Sequence, residues 1–417
     1  MERFVFPLQL AVLVALAGAP VAAQTTPSTA PPVDALVAEA LAKSPALAAA
    51  RSRSVAAREM ERPAAALPDP MIEGMIQNAD FPSYTIGSED MSMAGVEVRQ
   101  PLPYPGKLRA RAEAARAETS VRQAEIAELE RRVTLEVRSL YGRIYGVDRE
   151  RQSLAAAREL VDLMTATASA RYSSGQSEQE ALLKSQLQVT RLEERLDDLD
   201  AERRTLVAEL NRWLDRPGEA PLGEVAALPE VQPLAGALAE RAAEAAPRVA
   251  VARAAIEAAE RRLATARLDL KPDLSPLAGL AYRGSKGPVL TLRLGVELPF
   301  RKRERQEPMI RAAEAEVEAA RQELRDAQAM ARAEATRIAS DWTKAERQIL
   351  RYREGIVPQT SATFDAARSS YLAGRGDFST VIEDFNLWLE SRVQLARREA
   401  DRYAAWAALE SLTGELP

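Results

Sequence analysis

The sequence predicts a mainly α-helical protein with a small β part, built twice from one unit of long antiparallel helices and short strands. Alanine, glutamate and arginine dominate the 417 residues, while aromatic residues make up only 5%, a composition typical of long helices packed side by side. Landmark residues recur at a nearly constant separation of about 200 residues. Short segments in each half alternate apolar and polar residues, which indicates strands.

The composition excludes several classes of site. The chain contains no cysteine and no histidine, so disulfides, zinc sites of Cys and His ligands and a Ser-His-Asp triad are impossible. Acidic residues form no paired arrangement in a recognisable pocket-forming fold, so we expect neither an enzyme nor a cofactor. The 56 basic and 61 acidic side chains leave a formal net charge of −5, which gives no electrostatic reason to expect a nucleic-acid partner.

The N-terminus has the pattern of a secretory signal peptide. Arg3 precedes the apolar run Phe4 to Ala19, and the small residues Val21-Ala22-Ala23 follow. We therefore expect residues 1–23 to be removed. An uncleaved anchor is the alternative, although the apolar run is short for crossing a bilayer. No cysteine follows the run, so we expect no lipid attachment there.

An internal duplication organises the rest of the chain. The paired landmarks include Pro45 and Pro247, Pro70 and Pro272, Gly95 and Gly295, and Tyr172 and Tyr371. Chance similarity between alanine-rich helices would explain the helices but not these Pro, Gly and Tyr landmarks. The sequence therefore predicts a first repeat over residues 24–215, a proline-rich linker over 216–234 and a second repeat over 235–417.

Each repeat is predicted to contain the same elements in the same order. In the first half these are a helix over 34–66, strands near 71–78 and 91–100, a long helix over 107–171 and a return helix over 178–214. In the second half they are 236–268, 274–283, 288–299, 308–371 and 377–413. Pro358 lies inside the second long helix and is expected to bend it.

The best strand pattern runs from Val289 to Pro299. Five aliphatic residues lie on one face, and Thr291, Arg293, Gly295 and Glu297 lie on the other. This pattern fits a soluble sheet on a core, or a membrane barrel with lipid outside and water inside.

The predicted long helices also bear on the architecture. Helices of about 65 residues would extend roughly 100 Å, so they must pack against other helices of similar length. Four strands in lipid would leave open edges, so closure needs further copies, and counting strands leaves two, three or four copies possible.

The chain then resembles the TolC-like outer membrane efflux proteins. The resemblance covers essentially the whole mature chain and rests on three passages: Arg171-Tyr172-Ser-Ser-Gly175 followed by Ala181 to Gln186, Gly355 to Gln359 with Tyr371 and Gly374, and Gln100-Pro-Leu-Pro-Tyr-Pro-Gly-Lys-Leu108. The last passage is similar to the heavy-metal branch of the RND-type tripartite pumps. The resemblance implies a homotrimeric channel, with a helical tunnel in the periplasm and a twelve-stranded β-barrel in the outer membrane of a Gram-negative bacterium, four strands from each chain.

The resemblance also implies a function and partners. The chain would be the passive exit duct of a tripartite efflux pump, docked through a periplasmic adaptor protein onto an inner-membrane RND transporter. The cargo would be heavy-metal cations of the copper and silver or the cobalt, zinc and cadmium type. Two alternatives stay open: a type I secretion or drug-efflux channel of the same fold, and a soluble periplasmic coiled-coil adaptor.

In such a duct the helical hairpin turns form the periplasmic tip and gate. The candidate tip residues are Arg171, Tyr172, Gly175, Glu178, Gln179, Glu180, Tyr371, Gly374, Arg375, Asp377, Glu383 and Asp384. Threefold copying would turn each acid into a cation-selecting ring, and the arginines and tyrosines would hold the closed state. The alternative is that these charges are solvated residues at helix ends.

Two further groups of residues are candidates in the barrel. Glu97, Arg99, Arg293 and Glu297 are expected to face the lumen, where they would keep the inner wall wet without selecting cargo. Met91 and Met93 are weak candidates for metal contact, because thioethers are soft ligands that suit Cu(I). The alternative places these methionines as ordinary apolar residues on the outer face of the barrel.

Overall fold

The structure is a computed structural model that describes residues 29–79, 85–86, 91–175, 179–232 and 236–414. The predicted signal peptide lies outside these residues. The first half contains α1 (Val33–Lys43), α2 (Pro45–Glu59), α3 (Glu61–Ala65), β1 (Met71–Gln77), β2 (Met93–Arg99), α4 (Lys107–Ser173) and α5 (Gln179–Trp213). The second half contains α6 (Leu238–Ala245), α7 (Pro247–Leu268), β3 (Asp273–Tyr282), β4 (Pro288–Glu297), α8 (Gln306–Arg351), α9 (Val357–Leu372) and α10 (Phe378–Thr413). The predicted order of elements is confirmed in both halves.

The first helix of each half is broken, where the sequence predicted one continuous helix. Pro45 begins α2 and Pro247 begins α7. The residues before them, Ser44 and Ala246, have extended ψ angles of 121° and 137°, because a proline ring excludes the preceding residue from the helical region. Each proline then occupies the first turn of the new helix, where a missing N–H leaves no bond unmade.

The second long helix is interrupted one turn earlier than predicted. A π-helical turn over Tyr352–Ile356 separates α8 from α9, and the Val357 N–H donates to the Tyr352 carbonyl, five residues back. Pro358 follows immediately, and it has no N–H to donate to the Glu354 carbonyl. The wider turn before the proline moves the backbone away from the ring while keeping the rod continuous.

The strands form one antiparallel sheet in the order β1-β2-β3-β4. Registers such as Glu73 opposite Glu97 and Leu280 opposite Leu290 place the charged residues on one face and the aliphatic residues on the other. The aliphatic face is open: Leu290 and Leu292 are 68% and 72% exposed. The sheet lies at one end of the chain's fold, since the helices before β1 and β3 and after β2 and β4 all join it at the same end.

The main apolar core lies among α1, α4, α5, α9 and α10. It includes Ile144, Leu154, Leu210 and Phe385, all buried completely, while α7 and α8 pack mainly through alanine. Val225, in the segment between α5 and α6, is bonded to α4: its N–H donates to the buried Asp148 carboxylate at 2.9 Å. Among the residues that the structure describes, none of the helices is both long and apolar enough to cross a membrane.

Candidate functional site

Two tight turns close the helical hairpins at the end of the bundle away from the sheet. Gly175 follows α4 with a φ of +70°, and Gly374 follows α9 with a φ of +76°. Only glycine adopts this left-handed conformation without a steric cost. Each glycine N–H donates to the carbonyl of a tyrosine three residues earlier, Tyr172 or Tyr371, at 3.0 Å. Helices α4 and α9 thus end at a glycine with the same conformation and the same hydrogen bond.

Arg171 joins the two hairpins. Its Nη1 donates to the Tyr371 carbonyl at 2.8 Å, and its Nη2 donates to the Leu372 carbonyl at 2.9 Å. These carbonyls belong to the last turn of α9, where carbonyls lack their helical partners; that of Tyr371 also accepts from the Gly374 N–H. The guanidinium also lies 4.7 Å from the centre of the Tyr371 ring, a cation–π distance. One side chain therefore fixes the position of α4 relative to α9 at the tip.

Tyr371 is the buried centre of this contact. Its ring packs on Phe378 with a centroid separation of 5.2 Å, and its hydroxyl is buried with no hydrogen-bond partner within the described part of the chain. A pocket of about 210 Å³ opens beside it, lined by Arg171, Lys184 and Asp377 among others. The tip thus has a mainly polar cavity next to an aromatic contact.

A second connection joins the return helices, and the sequence analysis missed it. Lys184 on α5 donates to the Ser379 hydroxyl on α10 at 2.6 Å, and Gln188 donates to the Asn386 side-chain oxygen at 2.8 Å. Lys184 also pairs with Glu180 at 2.6 Å, and this hydrogen bond raises the lysine pKa. Lys184 and Gln188 are one helical turn apart, so their spacing marks a shared face, but it does not reveal which helix they face.

Most of the other predicted tip residues stay outside these contacts. Tyr172, Gln179, Arg375, Asp377 and Glu383 are exposed. Asp384 is half-buried, and within the described residues Asp377, Glu383 and Asp384 form no ion pair within 4 Å. Glu178 lies outside the described residues. Asp377, Glu383 and Asp384 therefore follow the second turn without an ion pair to the described residues, whereas Arg171, Tyr371 and Glu180 take part in contacts.

A buried carboxylate ties the two return helices to α4 further along the bundle. Glu150 on α4 accepts from Arg195 on α5 at 2.6 Å and from Arg397 on α10 at 2.9 Å. The Glu150 side chain is buried, while both arginines are partly exposed. Both return helices thus share one acceptor. Nothing in the local sequence around Glu150 signals this role, because its partners lie far away along the chain.

The charged face of the sheet contains paired side chains. Glu97 is buried, and it accepts from Arg293 at 3.2 Å across β3. Arg99 lies 3.7 Å from Glu73 on the neighbouring strand. Glu297 is exposed at the end of β4. The face opposite the aliphatic residues thus carries charges of both signs that largely neutralise each other.

Three methionines lie on the charged face of the sheet, whereas the sequence analysis had offered the outer, apolar face as the alternative for Met91 and Met93. Met93 is buried, and its register opposite Gln77 puts it on the same face as Met71 and Met75. Met91 lies before β2 and is exposed. The described residues contain no group of three or more Asp or Glu side chains that could hold a metal ion.

Comparisons with known proteins find one family model and several solved structures that are similar to this chain. A sequence model of the family described as "Outer membrane efflux protein" matches residues 238–415. No curated protein matches the sequence. Among solved structures, the outer membrane protein VceC of Vibrio cholerae matches with a TM-score of 0.77 and 17% identity, covering 92% of this chain and 96% of its own.

Two further structures have the same fold. The CmeC outer membrane channel of Campylobacter jejuni has a TM-score of 0.76 at 11% identity and covers 99% of this chain and 94% of its own. CusC, described through its folding and transmembrane channel formation, has a TM-score of 0.75 at 16% identity and covers 91% of each chain. These structures are described as channels or membrane proteins and none as an enzyme, in agreement with the expectation that this chain does not catalyse a reaction. The second half of the chain thus matches the outer membrane efflux protein family, and more than nine-tenths of the chain shares the fold of these TolC-like channel structures.

Proposed function

We propose that the chain is the outer-membrane exit duct of a tripartite efflux pump in a Gram-negative bacterium, gated at the tip of its helical hairpins. Three copies would close a twelve-stranded β-barrel, and their helices would form a tunnel through the periplasm. The tunnel would dock through a periplasmic adaptor onto an inner-membrane RND transporter. In this arrangement residues 24–215 and 235–417 are two duplicated units joined by the linker 216–234.

The observation that carries this proposal is the open sheet with an exposed aliphatic face. Strands β1 and β4 are its edges, and a four-stranded sheet cannot close on itself. Unpaired edges beside an exposed apolar surface would promote aggregation in water. Pairing of β1 with β4 of the next copy removes both edges, and lipid covers the face that includes Leu290 and Leu292. The paired charges around Glu97 would then line the water-filled side.

The contacts between the hairpins support a gate at the tip. Arg171 on α4 is bonded to the end of α9, and Lys184 on α5 is bonded to α10, so these two contacts hold the first hairpin against the second. Opening the tunnel would require these contacts to break, because the hairpins must separate. The exposed acids, including Asp377 and Glu383, would line the approach and attract cations by their charge.

Heavy-metal cations are the proposed cargo. The support is the passage Gln100 to Leu108, which resembles the heavy-metal branch of these channels. Met93, with Met71 and Met75 on the same face of the sheet, would offer soft thioethers to Cu(I) along the lumen. A drug-efflux or type I secretion channel of the same fold is the second candidate, because a passive duct takes its cargo from the pump and the fold itself does not select the cargo.

The deciding experiment is fractionation of the expressed protein, followed by the mass of the native particle in mild detergent. A heat-modifiable trimer in the outer-membrane fraction would support the duct. A soluble periplasmic monomer or dimer would overturn it and favour the adaptor. For the cargo, a strain that lacks the chain should become sensitive to copper, silver, cobalt, zinc or cadmium. Sensitivity to organic drugs alone would favour the second candidate.

A further inference from the structure

The connection between β4 and α8 carries a concentrated positive charge. Its sequence is Arg301-Lys302-Arg303-Glu304-Arg305, so four of five consecutive residues are basic in a chain whose net charge is negative. All five are exposed. Within the described residues, none of these four basic side chains forms an ion pair within 4 Å, although most arginines of the neighbouring helices α4, α7 and α8 do. The positive charge of this segment is therefore not neutralised by an ion pair within the described part of the chain.

The turn does not need these charges to form. In the first half the same passage from strand to helix, between β2 and α4, uses Pro101 to Gly106 and has one basic residue, Lys107. That lysine is buried and donates to the Asp273 carboxylate at 2.9 Å, so its charge is paired inside the fold. Because one repeat makes the passage without an exposed basic cluster, the cluster in the other repeat requires a reason outside the fold.

The position of the cluster indicates its partner. Leu294, Val296 and Leu298 alternate along β4 on the aliphatic face, and Phe300 continues the series with 87% of its surface exposed. The basic residues follow directly after the ring, on the side of the sheet where the helices join it. An apolar band that ends in an aromatic ring and then in unpaired cations is the pattern of a protein surface at the level of lipid headgroups.

We propose that residues 300–305, the basic turn, bind the phosphate groups of anionic phospholipids in the leaflet that faces the helical bundle. This proposal rests on the proposed insertion of the sheet into the outer membrane. Arg301, Lys302 and Arg303 would contact the phosphodiester oxygens, and Phe300 would lie among the upper acyl carbons. Guanidinium groups bind phosphate through paired N–H donors, and basic residues near an anionic surface add binding energy roughly one by one.

The neighbouring pocket is not the binding surface. This cavity of about 460 Å³ lies between the basic turn and the start of β3, and it is lined by acidic and basic side chains in equal number, with Asp273 and Glu297 among the acids. Such a lining gives no net attraction for an anion. Arg301 also lines this cavity, whereas Lys302 and Arg303 do not. The three residues are exposed and give three positive charges in sequence with no acid among them.

The test compares two triple variants of the full chain, purified in detergent. In one, Arg301, Lys302 and Arg303 are each changed to Gln. The control changes Arg204, Arg347 and Arg351 to Gln, which removes the same charge from exposed helical positions. Binding of phosphatidylglycerol and of phosphatidylcholine with identical acyl chains is measured by native mass spectrometry. We expect the wild-type chain and the control to prefer phosphatidylglycerol over phosphatidylcholine. In the basic-turn variant, we expect this ratio of binding to be about tenfold lower.

Several outcomes would overturn the proposal. These are an unchanged preference in the basic-turn variant, an equal loss in the control, and competition by inorganic phosphate as strong as that of the lipid, which would indicate a general anion site. Phe300→Ser provides an independent variant, which should weaken the binding of both lipids without changing their ratio. If the wild-type chain is absent from the outer membrane in fractionation, the proposed function fails. If it is present there without a preference for the anionic lipid, only the basic-turn proposal fails.

Discussion

The guanidinium of Arg171 lies 4.7 Å from the ring centre of Tyr371, while its two terminal nitrogens bind the carbonyls that end α9. One residue thereby satisfies two backbone acceptors and covers the face of an aromatic ring. The two residues are 200 positions apart, and each stands just before the glycine turn of its own hairpin. The contact is thus made between the equivalent ends of the two repeats.

Replacing Arg171 by Ala should favour an open tip. The variant loses two hydrogen bonds from a charged donor, each worth about 1.5–3 kcal/mol when formed in a protein. Since Arg171 is only half-buried, solvent screening reduces this, and we expect the ratio of open to closed channels to rise about tenfold. Open probability in planar bilayers measures this ratio. Arg171→Lys should be intermediate, because lysine keeps the charge without the paired donors.

Arg375→Ala is the matched control for this prediction. Arg375 lies in the second turn, is exposed, and makes no hydrogen bond or ion pair through its side chain within the described residues. Its removal should leave open probability unchanged. An equal increase in both variants would show that net charge at the tip, and not the contact with α9, controls opening.

The pH dependence of stability should reveal the Glu39 and Arg216 pair. The hydrogen bond from Arg216 Nε, at 3.0 Å, is the main cause that lowers the pKa of Glu39 below 4.5. A carboxylate with a lowered folded-state pKa stabilises the fold above its unfolded pKa, and this stability is lost as the pH falls through the folded value. Glu39→Gln should therefore lower the stability at pH 7 by about 1–2 kcal/mol, measured as a lower apparent Tm. The difference between the variant and the wild type should shrink as the pH falls through the lowered pKa of folded Glu39.

Circular dichroism melting of the detergent-solubilised protein across pH 3–7 measures this effect. Glu219→Gln is the control, because Glu219 is exposed in the same region as Arg216. It should melt as the wild type does at every pH. A difference between wild type and Glu39→Gln that does not change with pH would contradict the assignment to ionisation.

Two glycines one turn apart in α4 should respond oppositely to alanine. A Cβ at Gly146 would lie 3.5 Å from the Ala400 Cβ, an ordinary contact, whereas a Cβ at Gly142 would lie 3.0 Å from Tyr403 Cδ1. Tyr403 is completely buried and has little room to move. Gly146→Ala should raise stability by about 0.5–1 kcal/mol through helix propensity. Gly142→Ala should lower it by about 1–3 kcal/mol through overpacking. Comparison of their apparent Tm values tests the packing of α4 on α10, and equal shifts would contradict it.

Glu150→Gln should destabilise the bundle more than a surface charge change. The substitution keeps the shape of the side chain but removes the charge that binds both Arg195 and Arg397. Both arginines can reach water, so we expect a loss of about 1–3 kcal/mol. The control Glu193→Gln breaks an exposed pair with Arg158, which should cost less than about 1 kcal/mol. If the two variants melt at the same temperature, the shared acceptor contributes nothing beyond a surface pair.

The sequence by itself determined the elements and their order. Glycine reaches backbone conformations that other residues avoid, so Gly175 and Gly374 marked turns. Pro45 and Pro247 marked the repeat, but the helix breaks that they cause were not predicted. Alternation along Val289 to Pro299 depends only on the geometry of a strand. The recurrence of these local signals revealed the repeated order of elements that the structure confirms.

Only the tertiary structure decided which distant groups meet. Arg171 was predicted at the tip, but its acceptors are backbone carbonyls of α9, and carbonyls carry no sequence signal. Lys184, Gln188 and Glu150 were missed for the same reason: their partners lie on other helices, and the rotation and axial offset of packed helices select the pairing. The exposure of the aliphatic face likewise depends on which side of the sheet the fold leaves open. Local conformation follows from neighbouring residues, whereas contacts between elements follow from the packing of the whole chain.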